Sequence, residues 1–97
     1  MTGRLQMRVR VGAEGPAVTL KGRDAWLLQE LQKAGDRGLT AMQYPGARIS
    51  HYCMKIRRAG ITVACEDEKH DGPFKGSHGR YRLMSDVVVV DVQGATQ

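Results

Sequence analysis

The sequence predicts a single α+β domain in which three helices lie between two regions of β-strand. Three observations lead to this prediction. Apolar and polar residues alternate near both ends of the chain, which is typical of half-buried strands. In the middle of the chain, apolar residues recur at helical spacing instead. A chain of 97 residues supports about one small core, so we expect residues 1–97 to form one domain.

The N-terminal segment is predicted to be a β-hairpin over residues 5–21. In LQMRVRV at 5–11, every second residue is apolar, and this period of two favours a strand with one buried face. GAEGP at 12–16 is a turn signal, and AVTLK at 17–21 reads as the returning strand.

The first predicted helix runs from about residue 24 to residue 34. Asp24 suits the N-cap position, and Gly35 suits the position at which a helix ends. Apolar residues within it form a single stripe that we expect to face the core: Leu27, Leu28 and Leu31.

A second helix, over residues 40–44, can only be short. Thr40 and Gln43 have the spacing of a capping box, in which each side chain bonds to the other residue's backbone. Pro45 disfavours helical geometry at the residue before it, and a glycine follows at once.

The third helix is predicted over residues 47–59, with Gly60 as its terminator. At about 100° per residue, one side is apolar and is expected to be buried: Ile49, Tyr52, Cys53 and Ile56. The opposite side and its flanks carry the charge and are expected to face solvent: Arg48, Ser50, His51, Met54, Lys55, Arg57 and Arg58.

The rest of the chain is predicted to be β-structure. From residue 61 the period changes to two, with Val63 and Cys65 expected to point inward. A long glycine-rich connection leads to a strand that resumes at Tyr81, so the two strands form a hairpin with a basic tip. Residues 86–92 read as a strand covered on both faces or as one that pairs with residues 5–11. The tail, 93–97, is expected to be frayed.

Composition argues against a membrane protein and a disulfide-stabilised one. No apolar run approaches the roughly 20 residues that span a bilayer, and the N-terminus lacks the apolar centre of a signal peptide. A cytoplasmic location is therefore expected. The two cysteines fall at positions predicted to be buried and are expected to be packed thiols.

No enzyme activity, cofactor or metal site is predicted. GPFKGSHG at 72–79 resembles a phosphate-binding loop only in its glycine content. The consecutive carboxylates at 66–68 diverge on a strand end instead of converging on a substrate. His70, His78 and Cys65 lack the CxxC or HxxxH spacing of a zinc site.

The net charge of +5 is concentrated in two regions. Residues 1–23 contain five Lys/Arg and one acidic residue, and residues 48–82 contain eight Lys/Arg and four acidic residues. Such an excess indicates an anionic partner, most simply nucleic acid. The plainer alternative is that the cations of residues 47–59 form only the solvated face of an amphipathic helix.

The order of the predicted elements over residues 24–84 resembles the winged helix-turn-helix family. In ISHYCMKIRRAGITV at 49–63, helical apolar spacing ends at two basic residues and Ala-Gly, directly before a β-branched strand. GLTAMQYPGARISHYCMKIRRAG at 38–60 and GPFKGSHGRYRL at 72–83 are similar to small winged-helix proteins encoded by phages, prophages and proteobacteria. The resemblance covers about two-thirds of the chain.

The resemblance implies a winged helix core at 24–84, a wing at 66–80, and extra strands at 5–21 and 86–92. In most members a second helix of two turns braces the recognition helix, and residues 40–44 depart from that pattern because they allow only a shorter one. Because a helix fits the major groove and reads bases with its N-terminal half, the base-reading residues are predicted to be Arg48, Ser50, His51, Met54 and Lys55. Phosphate contacts are predicted for Arg57, Arg58, Lys69, Lys75, His78 and Arg80.

Two functions follow as hypotheses. The first is a sequence-specific protein that binds double-stranded DNA, a small phage or bacterial transcription regulator. Its terminal strands could complete the sheet or form a homodimer suited to a palindromic site. The second is a phage-encoded interaction module that binds and inhibits a host protein, such as RNA polymerase or a defence nuclease. RNA is a poorer ligand, since no aromatic platform lies on a strand face.

Overall fold

The computed structural model describes residues 5–44, 46–70 and 76–93. It confirms the predicted α+β class. Within the described residues, two α-helices, α1 (Gly22–Ala34) and α2 (Ile49–Arg58), accompany two 3₁₀ turns, Gly35–Arg37 and Ala41–Gln43. The strands are β1 (Gln6–Val11), β2 (Ala17–Lys21), β3 (Leu39–Thr40), β4 (Val63–His70), β5 (Gly76–Leu83) and β6 (Val87–Gln93).

The first sheet joins the two ends of the chain in the order β2-β1-β6, with both pairings antiparallel. This confirms the predicted N-terminal hairpin. It also confirms that the C-terminal strand pairs with the N-terminal one. Met7 and Val9 of the central strand are buried at 1% and 0% exposure, as the alternating pattern predicts. The register between β1 and β6 shifts between Arg8 and Val9.

The second sheet has the order β3-β5-β4 and is also antiparallel. Its main part is the predicted hairpin of β4 and β5. The two-residue strand β3 adds to the free side of β5, where Leu39 lies opposite Tyr81.

A single hydrophobic core lies between the sheets and the helices. α1 contacts α2 and strands of both sheets. The leucine stripe predicted for this helix is fully buried, with Leu27, Leu28 and Leu31 all at 0% exposure. Packing on this scale accounts for most of a small domain's stability, at about 25 cal/mol per Å² of apolar surface removed from water.

The start of α1 differs from the prediction. The helix begins at Gly22, and its N-cap is Lys21, the last residue of β2, in extended geometry. The N–H of Gly22 donates to the carbonyl oxygen of Leu5 at 2.7 Å. Because strand pairing continues to the helix boundary, no loop remains for Asp24 to cap. Asp24 lies in the first turn instead, where a carboxylate stabilises the helix through its dipole.

The recognition-helix candidate, α2, is shorter at both ends than the predicted 47–59. The N–H of Ala47 donates to Tyr44 O at 3.1 Å, so Ala47 belongs to the preceding turn and Arg48 becomes the N-cap. The predicted second helix contracts to the 3₁₀ turn Ala41–Gln43, with the predicted capping box present.

One burial prediction for the C-terminal strands is wrong. Cys65 is exposed, although its place in the alternating pattern continues that of Val63, which is 3% exposed. Burial needs an element packed on the strand, and the contacts of β4 are chiefly with β5. Of the two alternatives for residues 86–92, pairing with β1 is the one observed, and the valines of β6 are not covered on both faces: Val88 53%, Val89 40%, Val90 51% and Val92 40% exposed.

Candidate nucleic-acid interface

α2 has sharply defined ends. At its start, Arg48 has non-helical angles (φ −95°, ψ 69°) and its side chain makes no cap hydrogen bond. At its end, Gly60 has φ of 99°, in the left-handed region that favours glycine. The N–H of Gly60 donates to Arg57 O at 3.0 Å. The chain can therefore turn at once from the helix toward β4.

The two sides of α2 differ as the sequence predicts, except that Tyr52, predicted to be buried, is only partly buried. Ile49, Cys53 and Ile56 are between 0% and 1% exposed and form part of the core. Burial raises the pKa of the Cys53 thiol, and nearby Arg57 lowers that pKa by a smaller amount. The prediction that the charged side faces solvent is confirmed by the exposed residues of α2, which are Ser50, Met54, Lys55, Arg57 and Arg58.

The predicted base-reading residues do not all lie on the helix. Ser50, Met54 and Lys55 are exposed on α2, and Met54 is 42% exposed. Arg48 is exposed but precedes the helix. His51 is half-buried, with its ring 6.0 Å from that of Tyr52 in an edge-on arrangement. A major-groove surface on α2 would therefore consist of a short cationic row with Met54 within it.

Arg57 holds the end of α2 against the next strand. Its Nε and Nη2 donate to the carbonyl oxygen of Val63 at 3.0 and 2.7 Å. These bonds cross the tight turn between the helix and β4. Two of the five N–H groups of this guanidinium therefore serve the fold, which gives Arg57 a positioning role beside any contact with a ligand.

The three cations in the last turn of α2 also stabilise the helix itself. Lys55, Arg57 and Arg58 all lie there, next to the negative end of the helix dipole. Each such cation contributes about 0.3–1 kcal/mol to helix stability at a surface position. The presence of these cations is therefore explained without a ligand. Their joint exposure on one side of the helix is the stronger evidence for a binding surface.

The turn before α2 is attached to α1 through Tyr44. The hydroxyl of Tyr44 donates to Glu30 Oε1 at 3.0 Å, and its ring meets that of Trp26 edge-on at 5.3 Å. Burial raises the pKa of Tyr44, and the hydrogen bond and negative charge of Glu30 raise it further. These contacts orient the start of α2 in a fold where the preceding helix is only a 3₁₀ turn.

That 3₁₀ turn is itself fixed by Thr40 and Gln43. The backbone N–H of Thr40 donates to Gln43 Oε1 at 2.7 Å, and Thr40 is only 5% exposed. Thr40 also pairs with Arg80 of β5. The capping box therefore joins the helical part of the site to the hairpin.

The hairpin of β4 and β5 uses its arginines partly within the fold. Arg80 Nη1 donates to Arg37 O, and Arg82 Nε donates to Asp36 O, each at 2.9 Å. Arg82 also forms an ion pair with Glu66. Both arginines thus hold the turn after α1 against the base of the hairpin.

Gly38 allows this close approach of the turn to β5. It has φ of 70°, and a Cβ atom there would lie 2.5 Å from the carbonyl oxygen of Tyr81. A side chain at this position would meet both a strained backbone and a steric clash.

Several predicted phosphate contacts lie outside the described residues. Lys75 is in the undescribed tip, and only the backbone of Lys69 and His78 is described, in the paired strands. Their phosphate contacts stay predictions. Of the residues described, the structure brings Arg57 and Arg58 together at the end of α2, whereas Arg80 lies at the base of the hairpin.

Sequence reasoning missed the residues that position the site. Tyr44 and Glu30 were not among the predicted site residues, and Arg57 and Arg80 were predicted only as phosphate contacts. Their partners are backbone carbonyl oxygens or a residue 14 positions away, which no local pattern reveals. The one local signal was Tyr44 itself. An aromatic residue directly before a Pro-Gly turn indicates a side chain that packs against a neighbouring element.

The described residues contain no group of three or more His, Cys, Asp or Glu side chains that could hold a metal ion. Neither α1 nor α2, the helices of the described part, is long and apolar enough to cross a membrane.

Comparison with known families gives one match. A family described as a winged helix domain matches residues 17–93, which include both helices and five of the six strands named above. No curated protein and no solved structure matches the chain.

Proposed function

The chain belongs to the winged helix domain family, and on that basis we propose that it binds double-stranded DNA by placing α2 in the major groove. The observation that carries the proposal is the division of α2 into two sides. Ile49, Cys53 and Ile56 hold the helix in the core, so that its exposed cationic side is presented at a fixed orientation. An α-helix presented in this way fits the major groove of B-DNA.

The exposed residues of α2 have distinct roles in this proposal. Ser50 and Lys55 bond to base edges, and Met54 contacts a thymine methyl group. Arg48, just before the helix, reaches a guanine or an adjacent phosphate. Arg58 neutralises a phosphate, which gives affinity without sequence information.

The wing would add contacts to the backbone of the same duplex. Its base is fixed by the bonds of Arg80 and Arg82 to the turn after α1. The proposal includes phosphate contacts by four residues of the wing: Lys69, Lys75, His78 and, at its base, Arg80. Glycines in this hairpin, such as Gly76 and Gly79, permit close approach to a nucleic-acid surface.

The first test removes charge from α2 and from a control surface. We expect the triple variant Arg48→Gln, Lys55→Gln, Arg58→Gln to lose duplex binding in a fluorescence anisotropy titration. On a duplex that carries one half-site, where association of two copies does not enter, Arg8→Gln, Arg10→Gln, Lys21→Gln removes the same charge from exposed positions of the first sheet and is expected to bind nearly as well. Equal losses in the two variants would show that net charge, and not α2, governs binding.

The salt dependence of binding gives the second readout. In this proposal Arg58 neutralises one phosphate, and Arg48 a second where it reaches the backbone, so the slope of log K against log salt should fall by about 0.9 to 1.8. Between about 50 and 200 mM salt, the triple variant should then lose about 3- to 12-fold less affinity than the unmodified protein. A duplex affinity that does not depend on salt would contradict the proposal.

A regulatory role in a phage or bacterial genome is the finer part of the proposal. It is supported by the resemblance of residues 38–60 and 72–83 to small winged-helix proteins of that origin. A gel-shift with the protein's own upstream region tests it: a complex that survives excess unrelated duplex is expected. If excess unrelated duplex removed all of the binding, the protein would bind DNA without sequence preference, and the regulatory part of the proposal would fail.

Exposed methionines support a second function, docking on a host protein such as RNA polymerase or a defence nuclease. Met42 is 58% exposed and Met54 is 42% exposed. Methionine is a flexible apolar residue that is common on adaptable binding surfaces. This alternative predicts no duplex binding even at low salt, together with capture of one host protein that Met54→Lys abolishes.

A further inference from the structure

β6 presents an apolar edge to solvent. It forms one edge of the sheet β2-β1-β6, so one row of its backbone N–H and C=O groups has no partner strand within the described part of the chain. Its valines at 88, 89, 90 and 92 are between 40% and 53% exposed. We propose that β6 pairs with β6 of a second copy of the chain, giving a two-fold symmetric dimer with a continuous six-stranded antiparallel sheet.

The other long sheet edges in the described residues carry the features that usually prevent such pairing. Charged side chains at an edge oppose strand addition. β4 has Glu66 and Asp67 at exposed positions, and β2 ends at exposed Lys21. In β6, Val87–Val90 is an uninterrupted apolar run with neither a proline nor a charge, and the register shift opposite Arg8 and Val9 and the charge of Asp91 lie at its C-terminal end.

The apolar residues of β6 lie on both faces of the sheet. An antiparallel strand with one solvated face normally alternates apolar and polar residues. Here Val89 and Val92 line a groove beside α1, together with Met7 and Gln29. Val88 lies on the opposite face, where it pairs with Arg10. The side chains of a strand added at this edge would contact valines on both faces.

The pairing of β6 with β1 fixes the face of every β6 residue except Val90, which has no partner because the register shifts there, so that Val87 and Val92 share a face. Val87 and Val92 pair with Val11 and buried Met7 on the helix side. Val88 and Asp91 pair with the exposed residues Arg10 and Arg8 on the outer side.

Residues directly opposite in an antiparallel pair share a face, so a shift of one residue would mix the two faces. In the register that pairs the whole of 87–92, Val92 lies opposite Val87 of the partner subunit. Asp91 then lies opposite Val88 of the partner subunit. The two-fold axis passes between Val89 and Val90.

This register extends the core and balances charge. On the helix side, the apolar row Leu20, Met7 and Val92 continues into Val87 of the partner subunit. On the outer side, Asp91 has its own Arg8 as one neighbour. Its other neighbour is Val88 of the partner subunit, beside which lies Arg10 of the partner subunit. Moving the axis by one residue, to between Val88 and Val89, would instead place Asp86 against Asp91 of the partner subunit, a repulsive pair.

Charge also favours a second copy over DNA at this edge. Residues 85–97 contain Asp86 and Asp91 and neither Lys nor Arg, so a phosphate backbone would be repelled there. Two chains of net charge +5 meet with least repulsion through this segment. α2 packs elsewhere, against α1, so pairing through β6 leaves the proposed DNA surface free.

Sedimentation equilibrium tests the dimer, since the monomer mass is 10.7 kDa. We expect the mass to double as the concentration rises from about 1 to 500 µM, a range that covers micromolar affinity. Val90→Lys would bring two lysines together at the two-fold axis and should weaken association at least about tenfold. Met84→Lys adds the same charge at a residue 60% exposed outside β6 and should leave association unchanged.

Val88→Lys tests the register. In the proposed dimer the new ammonium group lies opposite Asp91 of the partner subunit, so the dimer should persist. Circular dichroism checks that each variant stays folded, which is expected because both valines are about half exposed in the monomer.

The proposal is overturned if the unmodified protein remains a monomer throughout, whatever else binds β6. It is also overturned if Val90→Lys associates as tightly as Met84→Lys, or if Val88→Lys dissociates as far as Val90→Lys. Duplex binding is measured separately, with Val90→Lys on a fragment that carries one half-site. A failure of dimerisation and a failure of DNA binding are therefore distinguishable.

Discussion

Replacing Arg57 and Arg58 in turn separates stability from binding at the end of α2. Arg57→Met keeps most of the aliphatic stem and removes the two hydrogen bonds to Val63 O, at 3.0 and 2.7 Å. Arg58→Met removes the same charge from the same last turn of the helix. The loss of favourable interaction with the helix dipole, about 0.3–1 kcal/mol, is common to both variants.

The difference between the two variants therefore reports the bonds to Val63. Hydrogen bonds to a charged group are worth about 1.5–3 kcal/mol when buried. Partial exposure of the guanidinium reduces this, so we expect Arg57→Met to be less stable than Arg58→Met by about 1–2 kcal/mol. For a domain of this size, that corresponds to a melting temperature lower by roughly 4–16 °C.

Urea unfolding and duplex titration of the same two proteins give the assay. Arg58→Met is expected to lose only the dipole interaction of about 0.3–1 kcal/mol and to lower the salt slope of duplex binding by about 0.9. Arg57→Met is expected to show the larger loss of stability. Equal unfolding free energies for the two variants would refute the positioning role of Arg57.

Two further predictions concern ionisable groups. Because its pKa is raised on folding, Tyr44 contributes stability that is complete below its ordinary pKa of 10.0 and is lost as the pH rises through the raised value. Tyr44→Phe should cost about 1 kcal/mol at neutral pH and weaken the alkaline decline in stability, measured by urea unfolding at several pH values; an unchanged decline would contradict this. Exposed Cys65 should react quickly with a thiol reagent and buried Cys53 slowly, and Cys65→Ser should remove the fast phase; a fast phase that persists would show Cys53 to be accessible.

Local patterns were sufficient to predict most elements of the fold. Alternation identified β1, and the leucine spacing identified α1, because a strand and a helix present different periods to one core. Gly60 correctly marked the end of α2, since few other residues adopt its backbone angle. These signals depend only on residues close together in the chain.

The predictions that failed depend on tertiary packing. Cys65 continues an alternating pattern, yet burial depends on which element covers the strand, and sequence spacing does not contain that information. Similarly, the start of α1 was set by the bond of Gly22 to Leu5, across the sheet. In the candidate site, the exposed side of α2 was predictable from the helical wheel. The attachment of Tyr44 to Glu30 and of Arg57 to Val63 was not.

Attachment at both ends of α2 has a thermodynamic consequence for recognition. Tyr44 restrains the approach to the helix, and Arg57 restrains its exit, so few orientations are sampled before a ligand arrives. Ordering a residue's backbone costs about 1–2 kcal/mol, and here that cost is met during folding. Complex formation should thus proceed as rigid-body docking, with a heat-capacity change set by the contact area alone and no contribution from newly formed helix.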